Sequence, residues 1–256
     1  MSEYQVYEQP INERIRSFLR LEKLFKQFSF HMQRASEWDH PAAIQSISDL
    51  LAFTTRSDIK LEALKEIERQ HIKLERLSKR PQVDHAQLDI LLEKQTTIIS
   101  QLQASSGQLG QELQNIELLT TIRQKSSVPG CICDFDLPAY QYWLNRSETE
   151  RKQDLEQWYE PFTILENAVY IILDVLRQST IDIEETAAGG FYQKSLDSNQ
   201  AIQLLRIHIE NNKDYFPEIS AGKHRFSVRF LTNVDARQRP EQCKEDIKFQ
   251  LSMCNI

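Results

Sequence analysis

Glycine is scarce in this chain, with Gly 6 and Pro 8 among 256 residues. So few chain breakers exclude collagen-like and linker-dominated proteins and leave room for long helices. Long apolar runs are missing as well. The longest, within Ala168 to Leu176, is interrupted by Asp174 and preceded by Glu166 and Asn167, which makes it too short and too polar to cross a bilayer. The opening MSEYQVYEQPINER carries acids early and has no apolar export core, so a cytoplasmic protein without membrane attachment is expected. Cysteine is sparse too. Cys131, Cys133, Cys243 and Cys254 contain no Cys-x-x-Cys pair, which favours reduced, buried thiols over a zinc site. Basic residues are in deficit, 31 against 37 acids for a net charge of -6. That balance argues against broad nucleic-acid binding, which needs a basic face to neutralise phosphates, although it leaves room for a local basic pocket.

Catalytic signatures are also wanting. There is no G-x-S-x-G elbow, no phosphate-cradling glycine loop and no H-E-x-x-H pair among His31, His40, His71, His85, His208 and His224. Asp134 and Asp136 in CDFDLP are two residues apart, a carboxylate pair for which an acid/base role is conceivable. The simpler reading makes Asp136 the cap of a helix that starts near Pro138. No enzymatic activity and no cofactor are expected.

What the chain does have is periodicity. After an alternating piece, Tyr4 to Tyr7, Asn12 caps a first helix with Ile15, Phe18, Leu21, Phe25, Phe28 and Met32 along one stripe. A second helix covers Pro41 to Phe53. A third begins at Ser57, places Leu61, Leu64, Ile67, Leu74 and Leu77 inward, and stops at Arg80-Pro81. Asp84 with Gln87 caps a fourth, carrying Leu88, Leu91, Leu92, Ile98 and Leu102, and the short link favours an antiparallel hairpin. Ala104 to Gly110 reads as a flexible loop before a fifth helix that ends near Arg123. Ser147 and Glu150 form a capping box for a long core helix, with Leu155, Trp158, Phe162, Leu165, Val169, Ile172 and Leu176 in its seam. Pro161 should bend or split that helix.

Beyond Ser179 the period changes to two. Strands are expected near Phe191-Tyr192, over Ile202 to Ile209 with a bulge or end near Leu204-Leu205, over Arg225 to Leu231, and over Ile247 to Met253. Tyr4 to Tyr7 supplies a partner strand. The expected fold is therefore α+β, a mainly helical body of antiparallel helices with a small antiparallel β-domain that joins the N-terminal strand to the C-terminal ones. Its segments are 1–10 for the N-terminal strand, 11–180 for the helical domain and 181–256 for the β-domain.

Candidate binding groups are basic and aromatic. Arg16 and Arg20 lie at i, i+4 on one helix face, a like-charge pair that a bound carboxylate would offset; the alternative is pairing with Glu13 and ordinary solvation. Lys223, His224, Arg225 and Arg229 lie in a strand whose other face is Phe226, Val228 and Phe230. Arg56 and Arg123 are candidates of the same kind. Tyr140, Trp143 and Leu144 read first as core, and otherwise as a peptide-binding anchor.

Several strings occur together here: EQPINERIRSFLRLE (Glu8 to Glu22), VPGCICDFDLPAYQYWL (Val128 to Leu144), VLRQS (Val175 to Ser179), GFYQ (Gly190 to Gln193) and PEISAGKHRFSVRFL (Pro217 to Leu231). In order and spacing they resemble signatures of the ZapD family, the Z-ring-associated protein D of the bacterial division machinery. The resemblance implies an α+β dimer that binds the C-terminal tail of FtsZ and cross-links FtsZ filaments into bundles at midcell, in the division ring. It implies binding through Arg16, Arg20, Arg56, Arg123, Trp143, Lys223, Arg225 and Arg229. The segments 105–115 and 235–245 match no pattern of the family, and Glu112 and Glu117 put acids on the fifth helix. The alternative function is a nucleic-acid-binding regulator that uses the local basic face.

Overall fold

The structure, a computed structural model, describes residues 4–34, 36, 38–56, 58–80, 84–125, 135–197, 201–222, 224–232 and 237–256, without the side chain of Arg56. The chain packs as two compact units, Met1–Ser17 with Leu173–Ile256, and Phe18–Ile172. The first holds the strands and the second most of the helices, giving the expected α+β fold.

Helix α1 (Glu13–Met32) starts where Asn12 Oδ1 accepts the Ile15 N–H at 2.9 Å. Its stripe behaves as its period demands, with Ile15, Phe18, Leu21 and Phe25 fully buried. Within the helical unit, α2 (Asp39–Arg56), α3 (Ile59–Leu77) and α4 (His85–Ala104) follow, then a 3-10 turn (Gln111–Asn115) and α5 (Glu117–Lys125). Next come α6 (Pro138–Leu144) and α7 (Glu148–Tyr159), whose start carries the complete Ser147/Glu150 capping box. At Pro161 the expected long helix splits. A 3-10 turn (Glu160–Phe162) absorbs the proline, and α8 (Thr163–Gln178) resumes.

Aromatic rings fill the helical core. Phe28 stacks on Tyr159 at 3.8 Å, and Trp143 lies between Tyr140 and Trp158 at 6.1 and 5.7 Å. The α3/α4 hairpin is more polar inside than its leucine pattern suggests. Ile59, Ala63, Ile67 and Leu74 are buried, but so are Glu66 and Gln70, while Leu61 turns outward at 39% exposure. Glu66 meets Arg69 at 2.5 Å, Gln70 Nε2 donates to the Ile172 carbonyl at 3.2 Å, and His71 Nδ1 lies 3.2 Å from Gln95 Oε1. Those partners are why polar groups can occupy core positions there.

Three local expectations need correction. Asp58 caps α3 by accepting the Leu61 N–H; Ser57, the expected start, lies outside the described residues. Asp136 does not cap α6. Leu137 holds the cap position without a side-chain bond, and the Asp136 carboxylate turns to Lys125 Nζ at 3.3 Å because a full charge outcompetes peptide N–H groups. The 104–110 segment is tied down: Lys60 Nζ donates to the Ser105 carbonyl, Gln108 Nε2 to that of Thr54 and Thr54 Oγ1 to that of Leu109. Gly110 adopts φ 75° there, where a Cβ would come within 2.8 Å of the Phe162 ring.

The β unit contains two antiparallel sheets rather than one. The first has the order β1 (Tyr4–Pro10), β4 (Leu204–Glu210), β8 (Ile247–Cys254), β2 (Ile183–Ala187), so the N-terminal strand joins the C-terminal ones. The second has the order β3 (Phe191–Ser195), β6 (Arg225–Thr232), β5 (Tyr215–Ala221), with the short β7 (Glu241–Gln242) on the last residues of β6. Their inner faces share one core that includes Leu205, Ile207, Phe226, Val228, Phe230, Phe249 and Leu251. The apolar slip at Leu204-Leu205 marks the start of β4, with one leucine buried on each face. Cys243 and Cys254 are unpaired, and burial pushes the Cys254 thiol up to about 12; Cys131, Cys133 and Asp134 lie outside the described residues.

A charge cluster binds the first sheet to the end of α8. Arg177 holds both oxygens of Glu8 at 2.8 Å, and Arg206 Nε donates to the same carboxylate at 3.1 Å, all three about four-fifths buried. Replacing Glu8 by Ala leaves two guanidinium groups short of an acceptor and should lower the stability of this unit by about 2–3 kcal/mol. Urea unfolding of Glu8→Ala checks this, and a midpoint equal to wild type would show that the cluster holds nothing together.

Candidate partner-binding surface

On β6 the alternation is clean. Phe226, Val228 and Phe230 enter the core, and Arg225, Ser227, Arg229 and Leu231 face outward. Register completes that outer face. Phe191 and Glu218 flank Arg229, Gln193 and Ser220 flank Ser227, Ser195 flanks Arg225, and Phe216 pairs with Leu231. Phe191 is 40% exposed, while Tyr192 beside it is turned to the core against Phe226 and Phe249. A turn through two left-handed glycines delivers this strand. Gly190 has φ 72°, and any Cβ on it would lie 2.5 Å from the Cys243 carbonyl oxygen, so only glycine fits.

The guanidinium groups on this face are weakly engaged. Arg229 approaches Glu218 at 3.9 Å with both side chains more than half exposed, a pair worth at most about 1 kcal/mol. Arg225 meets no carboxylate among the described residues. Spacing along the strand puts the two arginines about 13 Å apart at roughly 3.3 Å per residue. His224 is exposed at the end of the hairpin, and Lys223 lies outside the described residues.

The other candidates are distributed over both units. In the β unit, Arg16 Nε donates to Glu13 Oε1 at 3.0 Å, the local pairing expected of a crowded helix face. In the helical unit, Arg20 is exposed and Arg123 is half-buried on α5; of Arg56 only the backbone is described. Trp143 is a core residue. It is 4% exposed, and its Nε1 donates to Asp154 Oδ2 at 2.8 Å, so it offers no surface to a partner in this conformation. Sequence reasoning missed Phe191, Phe216 and Leu231. The alternation of Phe191, Gln193 and Ser195 was available in GGFYQKS, but Pro217 and Glu218 hid β5 and with it the place of Phe216.

Two further clusters have chemically active residue types. His208 Nε2 lies 2.9 Å from Ser252 Oγ, which donates to Asp182. That order differs from a nucleophile–base pair, because the serine proton already belongs to the carboxylate and Ser252 is fully buried. A cavity of about 380 Å³ opens beside Thr54, Thr55, Asp58, Lys60 and Gln108. Its walls carry one acid and one base, Asp58 and Lys60, so it offers no excess of either charge to a ligand. No group of three metal-ligating side chains occurs among the described residues, nor does a helix long and apolar enough to cross a membrane.

On the outer face of a buttressed sheet, β6 thus presents two exposed arginines to solvent. The family model for ZapD, described as a cell division protein, matches residues 19–229. The chain is 40% identical over 249 residues to the cell division protein ZapD of Methylococcus capsulatus, covering 97% of each. It is 37% identical over 250 residues to that of Nitrosomonas europaea, covering 98% of this chain and 95% of that one, and 37% identical over 252 residues to that of Ralstonia pickettii, covering 98% and 99%. The chain belongs to the ZapD family of cell division proteins.

The helical unit contains a titratable joint. His40 is fully buried at the start of α2, where Arg151 Nε donates to its Nδ1 at 2.7 Å and Arg151 Nη1 donates to the Leu144 and Arg146 carbonyls at 2.5 Å. Burial, reinforced by the Arg151 charge, holds the His40 pKa below 6.5. Below that value the unfolded chain takes up a proton that folded His40 refuses. Its contribution is therefore fully present above pH 6.5 and is lost as pH falls toward the lower folded value. The urea midpoint should drop between about pH 7.5 and about pH 5.5, and His40→Leu should flatten that slope while lowering the midpoint at the higher pH. Equal slopes for the two proteins would place the titration elsewhere.

Proposed function

We propose that this protein is a non-enzymatic division factor that binds the C-terminal tail of FtsZ and, as a homodimer, cross-links FtsZ filaments in the cytoplasm at the midcell ring. Membership of a cell-division family carries the reading, and the exposed, weakly engaged arginines support it chemically. A tail rich in carboxylates and apolar groups matches guanidinium forks, which keep their charge when desolvated and accept a carboxylate through two parallel bonds. Arg225 and Arg229 stand on a rigid sheet, and Arg16 and Arg20 on α1. Arg123, Arg56 and Lys223 are further candidates of the same charge. Two tail sites per dimer meet many tails per filament, so each bridge gains from effective concentration even when one tail binds weakly. A closed two-fold dimer through the helical body is the simplest assembly that supplies both sites.

Charge reversal tests the reading. Each lost charge-assisted contact costs about 1.5–3 kcal/mol, so Arg16→Glu/Arg20→Glu, and separately Arg225→Glu/Arg229→Glu, should weaken binding of an FtsZ tail peptide by tens-fold or more. Melting temperatures should stay close to wild type, because these are surface positions. Peptide anisotropy with a parallel melt distinguishes the outcomes: unchanged affinity in both pairs removes the arginines from the site, and a collapsed melt makes them structural. Light scattering at micromolar protein should report a dimer, and a monomer alone would defeat the bridging mechanism.

A further inference from the structure

We propose that the outward side of the end of α1, with the corner into α2, is a docking surface for the headgroup layer of an anionic lipid bilayer. Lys23, Gln27 and Phe30 follow one another at spacings of four and three on the exposed side of α1, and Arg34 continues the line just past its end. Phe30 is 52% exposed, and the Arg34 guanidinium lies 4.5 Å above its ring. Trp38, immediately before α2, is 75% exposed. The corner between the two rings is built rather than loose. Asp39 is buried, lies 2.9 Å from His31 Nδ1 and accepts the Ser36 N–H at 3.1 Å, which ties the start of α2 to the last turn of α1. His31 in turn meets the Phe30 ring edge-on at 5.2 Å.

Charge selects the occupant. From Phe18 to Arg34 the bases are Arg20, Lys23, Lys26 and Arg34, and the one acid, Glu22, is buried and held by Lys26 at 3.0 Å. The next acid along the chain, Glu37, lies outside the described residues, and the Asp39 carboxylate is engaged by His31 and Ser36. On a chain of net charge -6 this side is a local excess of base. Bases beside exposed Trp and Phe fit the boundary of an anionic bilayer, where long stems reach the phosphates while the rings enter the upper acyl region. The outward side of a helix is convex, which suits a flat surface, whereas a nucleic-acid strand is held along a basic groove. Adsorption of this kind needs neither an export core nor a spanning helix. It therefore revises the expectation of a protein without membrane attachment, which rested on those two signals.

Trp38 supplies its own reporter. The chain has Trp 3, and Trp143 and Trp158 are only 4% and 8% exposed, so a change in tryptophan emission on contact with a surface belongs to Trp38. The full chain is mixed with vesicles of phosphatidylglycerol and phosphatidylcholine in equal parts, or of phosphatidylcholine alone, and followed by cosedimentation and emission. At about 0.05 M salt it should pellet with the anionic vesicles and shift its emission to the blue, and at about 0.5 M salt it should come off. Lys23→Gln/Arg34→Gln should lower the partition by about twentyfold, at roughly fivefold per charge. Trp38→Ala should lower it by about tenfold, and Trp38→Phe should keep most of the binding while losing the blue shift. These side chains are exposed, so melting temperatures should stay at the wild-type value. The proposal is independent of the FtsZ-tail reading, and Trp38→Ala should bind a tail peptide as wild type does. A joint loss would assign Trp38 to the tail site and overturn the lipid surface. So would equal binding to the two kinds of vesicle, no pelleting with either, or pelleting that ignores both Trp38→Ala and the charge pair. An oligothymidine that produces the blue shift when vesicles do not overturns the choice of occupant.

Discussion

Glu8 accepts hydrogen bonds from two arginines that are far from it in sequence, Arg177 at the end of α8 and Arg206 in β4. The carboxylate is only 20% exposed, so neither charge on it is cheaply replaced by water. Through it the first strand is held twice, by its ladder to β4 and by its side chain to the helix that leads into the β unit. A strand at the edge of a sheet is otherwise the element most easily lost. With β1 fixed, β4 and β8 are covered on both flanks. The core they share with the second sheet can then support β6 as a stiff base for its outward side chains.

The helical unit uses charge in the same economical way. Arg151 joins α2 to the α6–α7 connection by donating to His40, to the Leu144 carbonyl at the end of α6 and to the Arg146 carbonyl in the connection itself. Asp154 accepts from both Trp143 and Arg146, so the ring cluster is oriented by a polar atom at its rim. Glu66, Arg151 and Asp154 each have a definite partner, and the partner fixes a direction that apolar packing alone would leave loose. Burial supplies most of the free energy, and these bonds choose among packings.

Much of this was legible in the sequence. The α1 stripe, the Ser147/Glu150 box and the break at Pro161 follow from local signals, and the alternation of Tyr4 to Tyr7 suggested the partner strand that the C-terminal strands receive. What escaped depended on partners distant in the chain. Glu66 and Gln70 look like surface residues until Arg69 and the Ile172 carbonyl are placed beside them. Trp143, read first as core and otherwise as an anchor, is settled only when it is buried against Trp158, as Arg229 is when left on a sheet face. Strand β5 was hidden by Pro217, which a strand with only β6 beside it in the ladder tolerates.

The outer face of β6 presents its arginines from a paired strand rather than from a loop. Side chains on a paired strand lose little backbone freedom when a ligand arrives, because folding has already ordered them. Arg225 and Arg229 rise from positions flanked by Phe226, Val228 and Phe230, each at most 1% exposed, so their Cα spacing is set by the core below. Long arginine stems still let the guanidinium groups adjust to a carboxylate by an ångström or two. Fixed spacing beneath and adjustable heads above would favour ligands by the separation of their charges, which a flexible basic loop would accept at any separation.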